Sequence, residues 1–79
     1  MAKVTIYSTP TCVYCKMAKE FFKENSIAYT EHDVAADAVA RKEMFDMSHQ
    51  MGVPVITVDQ QVIVGFDKKT LKKALGVTG

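Results

Sequence analysis

The chain contains two cysteines, Cys12 and Cys15, at the point where a short apolar run gives way to a helical pattern. Residues three positions apart lie on the same face of a helix, so the two sulfur atoms are close enough to form a small disulfide ring. A pair of this kind converts between a dithiol and a disulfide by exchange with other thiols. The spacing therefore predicts a thiol–disulfide redox site.

Three other roles for the cysteine pair have less support. A structural zinc site usually takes four Cys or His ligands, and the remaining candidates, His32 and His49, lack the paired spacing of such ligands. A purely structural disulfide between residues this close removes little entropy from the unfolded chain. Two inert buried thiols would have apolar neighbours, whereas the flanking residues here are Thr-Pro-Thr and a lysine. We therefore interpret the pair as redox-active.

Length, composition and charge limit the class of protein. The 79 residues, 48% hydrophobic and 24% charged, predict a single compact domain over residues 1–79. The net charge of +1 predicts no binding of nucleic acid or of an anionic membrane. No apolar run approaches the length of a membrane span, and the apolar segment after Lys3 is too short for a secretion signal. We therefore expect a cytoplasmic location, where a cysteine pair is more often catalytic than structural.

The first half of the chain alternates strand and helix patterns. Lys3 to Ser8 is β-branched and alternating, and it predicts a strand that ends before Pro10. Val13 to about Asn25 has apolar residues at helical spacing and charged residues on the opposite face, which predicts a helix with the cysteines at its start.

A second strand and a second helix follow. Ile27 to Asp33 predicts a shorter strand, and Ala36 to about His49 predicts a helix. This helix carries Ala40, Met44 and Met47 in one stripe. A methionine stripe of this kind is typical of core packing rather than of a ligand site.

The last third of the chain predicts a β-hairpin and a final helix. The hairpin consists of Val53 to Val58, a turn at Asp59 to Gln61, and Val62 to Gly65. Asp67 is a candidate N-cap for a helix from Lys68 to Leu75. The order βαβαββα predicts an α/β fold with a mixed four-stranded sheet flanked by three helices.

Three motifs, in this order, resemble the glutaredoxins and glutaredoxin-like redoxins of the thioredoxin superfamily. They are the strand Val4-Thr5-Ile6-Tyr7 leading into Cys12-x-x-Cys15-Lys16, the Val53-Pro54 step, and the Gly65-Phe66-Asp67 turn before the last helix. The resemblance covers essentially the whole chain. It implies a thioredoxin-like fold of the glutaredoxin type and a dithiol oxidoreductase with no bound metal or organic cofactor.

The resemblance also implies roles for individual residues. Cys12 is the exposed nucleophile and Cys15 the resolving thiol, which agrees with the preference of a helix N-terminus for a thiolate. Pro54 is a cis-proline beside the pair, and the backbone of Val53 meets an extended thiol substrate. The further substrate or glutathione contacts are Thr11, Tyr14, Gly65, Phe66 and Asp67, and the lysines that give electrostatic support are Lys16 and Lys19.

Departures from the glutaredoxin pattern bear on the electron source. Glutaredoxins that bind glutathione well commonly carry a lysine where this chain has Thr9, and a double glycine where it has Val64-Gly65. Many also have Pro-Tyr between the cysteines, where this chain has Val13-Tyr14. The chain leans toward redoxins that pass electrons from thioredoxin reductase and NADPH to ribonucleotide reductase.

The expected partners follow from that resemblance. They are disulfide-containing proteins, among them ribonucleotide reductase, and as electron donor either a flavoprotein disulfide reductase or glutathione. We expect a monomer that meets the flavoprotein through an apolar rim formed by Tyr14, Val53, Pro54 and Phe66. The alternative function is a non-enzymatic carrier in which Cys12 and an external thiol hold an iron–sulfur cluster between two subunits, although four thiolate ligands would then require two chains or added glutathione.

Overall fold

The computed structural model describes residues 3–50 and 52–76, and within them the chain follows the predicted order βαβαββα. The strands and helices are β1 (Val4–Ser8), α1 (Val13–Glu24), β2 (Thr30–Asp33), α2 (Ala38–Ser48), β3 (Val55–Val58), β4 (Gln61–Val64) and α3 (Lys68–Leu75). In this part of the chain, no helix combines the length and the apolar character needed to cross a membrane.

The four strands form one mixed sheet in the order β2-β1-β3-β4. β1 pairs in parallel with β2, so that Thr5 lies opposite Thr30, and antiparallel with β3, so that Tyr7 lies opposite Val55. β3 and β4 form the predicted antiparallel hairpin. The cysteine segment therefore leaves the sheet at the carboxyl end of a central strand, between β2 and β3.

Helices cover both faces of this sheet. One face carries α1 and α3, whose buried side chains Ala18, Phe21, Phe22 and Leu71 pack against alternate residues of the sheet, Val4, Ile6, Ile56, Val58 and Ile63. The other face carries α2, whose Ala40 and Met44 pack with Tyr7, Val34 and Val55. Successive side chains of β1 thus point to opposite faces and contribute to both cores, as a sheet covered on both faces requires. The predicted α/β fold, a mixed four-stranded sheet flanked by three helices, is confirmed.

The second strand is shorter than the sequence predicted. It begins at Thr30 rather than Ile27, because the end of α1 requires a tight reversal. Ser26 takes a left-handed conformation (φ 55°), and the Ile27 amide donates a 2.8 Å hydrogen bond back to the Phe22 carbonyl. Ile27 and Tyr29 are apolar because they pack against the core from this connection, not because they pair in the sheet.

The second helix is also shorter than predicted. Asp37 is its N-cap and accepts hydrogen bonds from the amides of Val39 and Ala40 at 3.0 and 3.1 Å, so the helix begins at Ala38 rather than Ala36. The helix ends at Ser48, before His49 in the left-handed conformation (φ 59°). The predicted core stripe was wrong at Met47, which is 38% exposed.

The hairpin is joined to the start of β1 by a reciprocal pair of hydrogen bonds. The Lys3 amide donates to Asp59 Oδ1 at 2.9 Å, and the Asp59 amide donates to the Lys3 carbonyl at 2.8 Å. β3 begins at Val55, two residues later than predicted, and β4 ends at Val64 because Gly65 leaves the strand with φ 80°.

The last helix has the predicted bounds. Asp67 caps it, as the sequence indicated, and Gly76 ends it with φ 69°. Leu71 is fully buried, while Ala74 and Leu75 are partly buried against the same core.

Candidate redox site

Cys12 is the N-cap residue of α1. Its backbone is extended (φ −82°, ψ 113°), and its amide donates a 3.3 Å hydrogen bond to the Thr9 carbonyl. The Cys12 Sγ accepts a hydrogen bond from the Cys15 amide at 3.1 Å. The sulfur is half-buried and faces the backbone amides at the N-terminus of the helix.

Cys15 lies one turn further along α1 and is fully buried, with no exposed surface. Burial raises the pKa of its thiol to about 12, and the hydrogen bond to Cys12 acts in the same direction. A hydrogen bond from the Thr9 backbone and the charge of Lys19 act in the opposite direction. The two thiols therefore differ in access to solvent, and of the pair Cys12 alone has exposed surface.

The segment before β3 brings a proline to the same end of the sheet. The Val53–Pro54 peptide bond is cis, as the resemblance implied, and Pro54 is fully buried. One step beyond the Tyr7–Val55 pair, the antiparallel register sets Pro54 opposite Ser8, at the end of β1 from which the cysteine segment departs. The Pro54 carbonyl accepts a 2.8 Å hydrogen bond from the Gly65 amide, which ties this segment to the turn before α3.

Asp67 has both carboxylate oxygens engaged within α3. Oδ1 accepts from the Thr70 amide at 3.2 Å, and Oδ2 accepts from the Thr70 hydroxyl at 2.8 Å. These hydrogen bonds lower the pKa of the carboxyl. The residue is therefore an ionised helix cap at the place where the resemblance implies a substrate contact.

The apolar surface around Cys12 differs from the predicted rim. Val13, Tyr14 and Met17 are 66%, 61% and 43% exposed. Pro54 was wrongly included in the rim, because its ring is buried beneath the surface. The other predicted members, Val53 and Phe66, are half-buried.

Two other predicted contact residues can be placed. The Phe66 ring packs edge-on against Phe21, with ring centroids 6.2 Å apart. Together with Met17, Glu20, Glu24 and Lys68, these two aromatic residues line a shallow cleft beside α1. Thr11 is exposed in the loop just before Cys12.

The two candidate lysines have different environments. Lys16 is exposed. The Lys19 Nζ lies 2.9 Å from Glu31 Oε2, and the same oxygen accepts a 2.9 Å hydrogen bond from the hydroxyl of the buried Ser8. The hydrogen bonds from Lys19 and Ser8 lower the pKa of the Glu31 carboxyl.

Sequence reasoning did not identify Ser8 and Glu31. In the sequence, Glu31 is one of four consecutive polar residues, 30–33, and Ser8 is the end of another strand. Their relation to the cysteine helix depends on the parallel pairing of β1 with β2, which no short-range pattern encodes. Among residues 3–50 and 52–76, no three His, Cys, Asp or Glu side chains are grouped as metal ligands would be.

A half-buried thiol at a helix start, a second thiol buried one turn below it and a cis-proline at the same end of the sheet are the features of a thiol–disulfide oxidoreductase. The chain belongs to the glutaredoxin family, whose family model matches residues 4–63.

Three relatives show how the family is represented. A glutaredoxin-like 8.6 kDa protein of Clostridium pasteurianum, encoded in a rubredoxin operon, is 46% identical over 91% of this chain and 96% of its own length. Glutaredoxin 3 of Escherichia coli is 37% identical over 85% of this chain and 81% of its own length. The glutaredoxin-like protein NrdH of Lactococcus lactis is 33% identical over 89% and 96%.

The comparison with solved structures confirms the thioredoxin-like fold that the resemblance implied. The crystal structure of the thioredoxin-like protein BC3987 superposes with a TM-score of 0.86 at 35% identity, covering 91% of this chain and 99% of the other.

Proposed function

We propose that this protein reduces protein disulfides by a dithiol mechanism in which Cys12 attacks and Cys15 resolves. The observation that carries the proposal is the difference in burial between the two thiols: Cys12 is half-buried at the helix start, and Cys15 is fully buried behind it. A bulky disulfide can approach the first sulfur but not the second. The dithiol roles rest on this asymmetry together with the family membership.

The two steps balance in atoms and electrons. The Cys12 thiolate attacks one sulfur of the substrate disulfide, forming a mixed disulfide and releasing the first substrate thiolate, which takes up a proton. Cys15, after loss of its proton, attacks Cys12 Sγ and releases the second substrate thiol. The protein is left with a Cys12–Cys15 disulfide, and an external reductant must return two electrons to it.

The exposed side chains favour a protein as substrate. Val13, Tyr14 and Met17 form an apolar surface next to Cys12, and burial of such a surface stabilises a protein complex. A small thiol would cover little of it. The resemblance to redoxins that serve ribonucleotide reductase, together with the NrdH relative, supports that enzyme as one target in a reducing cytoplasm.

We further propose that a flavoprotein disulfide reductase, thioredoxin reductase with NADPH, is the preferred electron donor over glutathione. Glutathione is an anionic tripeptide, and at the position where glutathione-binding family members place a cation this chain has Thr9. A lost charged hydrogen bond weakens binding by about 1.5 to 3 kcal/mol, which is tenfold or more.

A coupled assay tests this preference. Oxidation of NADPH is followed with the oxidised protein and thioredoxin reductase in one cuvette, and with glutathione and glutathione reductase in another. We expect the thioredoxin reductase system to reduce the protein several-fold faster. Faster turnover with glutathione would contradict the proposed donor while leaving the dithiol mechanism intact.

The substitution Thr9→Lys should raise turnover with glutathione about tenfold, because it supplies the missing cation beside Cys12. The hydrogen bond at this position uses the Thr9 carbonyl, which the substitution retains. Turnover with thioredoxin reductase should change by less than about twofold. Thr30→Lys, at an exposed position of β2, makes the same charge change and is the matched control. Equal gains for both variants would show a general charge effect and not a local contact.

A further inference from the structure

The end of β1 carries a hydrogen-bonded group of three side chains from three elements. Lys19 lies on α1, Glu31 on β2 and Ser8 on β1, and Glu31 Oε2 accepts from both Lys19 Nζ and Ser8 Oγ at 2.9 Å. Ser8 is 1% exposed and the Lys19 side chain is 25% exposed. The Glu31 side chain is 40% exposed, so the ion pair lies at the protein surface, where the hydroxyl of the buried Ser8 helps to fix the carboxylate that holds the ammonium group.

This ammonium group lies on the side of α1 that carries Cys15. Lys19 and Cys15 are four residues apart in the helix, a spacing that places them on one face. Cys15 also receives a hydrogen bond from the backbone of Thr9, the residue after Ser8. The buried Cys15 thiol and the Lys19 ammonium group thus both lie near the carboxyl end of β1.

A cation at this place would favour the second step of the proposed reaction. Cys15 must become a thiolate in a site that water does not reach, and burial opposes that charge. In the mixed disulfide Cys12 carries no charge, so its hydrogen bonding and charge no longer oppose the Cys15 thiolate. Lys19 is then the cation that favours the Cys15 thiolate. The hydrogen bond to Glu31, and the charges of Glu31 and Tyr29, raise the pKa of Lys19 and so help to keep it charged.

We propose that Glu31 and Ser8 are positioning residues that hold the Lys19 ammonium group beside Cys15, and that Lys19 thereby accelerates the attack of Cys15 on the mixed disulfide. The inference rests on the proposed dithiol mechanism and concerns only its second step. The first step uses the helix N-terminus at Cys12 and does not depend on this group.

An aromatic disulfide whose released thiolate absorbs visible light separates the two steps. In a stopped-flow experiment, attack by Cys12 releases the first equivalent of chromophore, and attack by Cys15 releases the second. We expect Lys19→Met to slow the second phase about three- to tenfold, an effect discounted for the partial exposure of the lysine. The first phase should stay within about twofold of wild type.

The pH profile and three further variants distinguish charge from packing. The rate of the second phase should rise with pH, and in Lys19→Met this rise should be displaced to higher pH. Lys19→Arg should restore the rate, and Glu31→Ala should slow it because the ammonium group is no longer held. Lys42→Met, at an exposed position of α2 on the other face of the sheet, is the control for loss of one positive charge.

The outcomes separate this inference from the function on which it rests. An unchanged second phase in Lys19→Met, or equal slowing of both phases, would overturn the inference alone. Release of only one equivalent by the wild-type protein would overturn the dithiol mechanism, and the inference with it.

Discussion

The variant Cys12→Ser is expected to lose disulfide reductase activity by about three orders of magnitude or more, as enzymes do when their nucleophile is removed. The remaining thiol cannot substitute for it, because Cys15 has no exposed surface. The converse variant, Cys15→Ser, keeps the nucleophile at the helix start. It should react once with a substrate disulfide and remain attached to it, since the resolving thiol is missing.

Mass spectrometry under non-reducing conditions checks both halves of this prediction. After incubation with a disulfide-containing peptide, Cys15→Ser should carry one peptide on Cys12, and Cys12→Ser should carry none. An adduct on Cys15 in the Cys12→Ser variant, with none in the converse variant, would reverse the two roles. Each variant replaces one sulfur atom with an oxygen atom, and the two positions are three residues apart. Each variant therefore serves as the control for the other.

The second large effect is a difference in alkylation between the two thiols of the reduced protein. Burial raises the pKa of the Cys15 thiol to about 12, so this thiol is protonated at pH 8. Iodoacetamide reacts with an accessible thiolate, and Cys15 has no exposed surface, so native Cys15 should react at least about a hundredfold more slowly than the half-buried Cys12. Because the shift is upward, the Cys15 rate should climb steadily as the pH is raised toward 12.

Unfolding provides the control for this measurement. In concentrated denaturant both cysteines lose their surroundings, and the two rates should converge to within a small factor. Peptide mapping after a short pulse of reagent reports each site separately. Comparable labelling of Cys15 and Cys12 in the native protein at pH 8 would show that the buried thiol is accessible, and would remove the basis for assigning it as the resolving residue.

Local patterns predicted the elements that local interactions define. The apolar spacing of α1 and the Asp67 cap of α3 are short-range features, and both appear where the sequence indicated. The boundaries of β2 and α2 were misplaced because they depend on backbone reversals at Ser26 and on a cap at Asp37. Those features are visible in the sequence only as ordinary polar residues.

The parts of the site formed by neighbouring residues in the chain were predicted, and the parts formed by residues distant in the chain were not. The cysteine pair is a single motif, and its place at the helix start follows from the strand and helix around it. The Glu31 contact with Lys19 joins residues that meet only through the parallel pairing of β1 and β2. The cis conformation of the Val53–Pro54 bond was predicted correctly, but the exposure of Pro54 was not. Burial of a loop residue depends on the assembled tertiary structure.

The paired hydrogen bonds between Lys3 and Asp59 help to fix the register of β1 with β3. They lie five residues from Ser8, or about 17 Å along the strand, at the end of the sheet farthest from the cysteines. A slip of the two strands by two residues would keep every side chain on its own face, yet would move Pro54 by about 7 Å relative to the end of β1. Asp59, remote from both thiols, therefore helps to set where the proline and the cysteine segment meet.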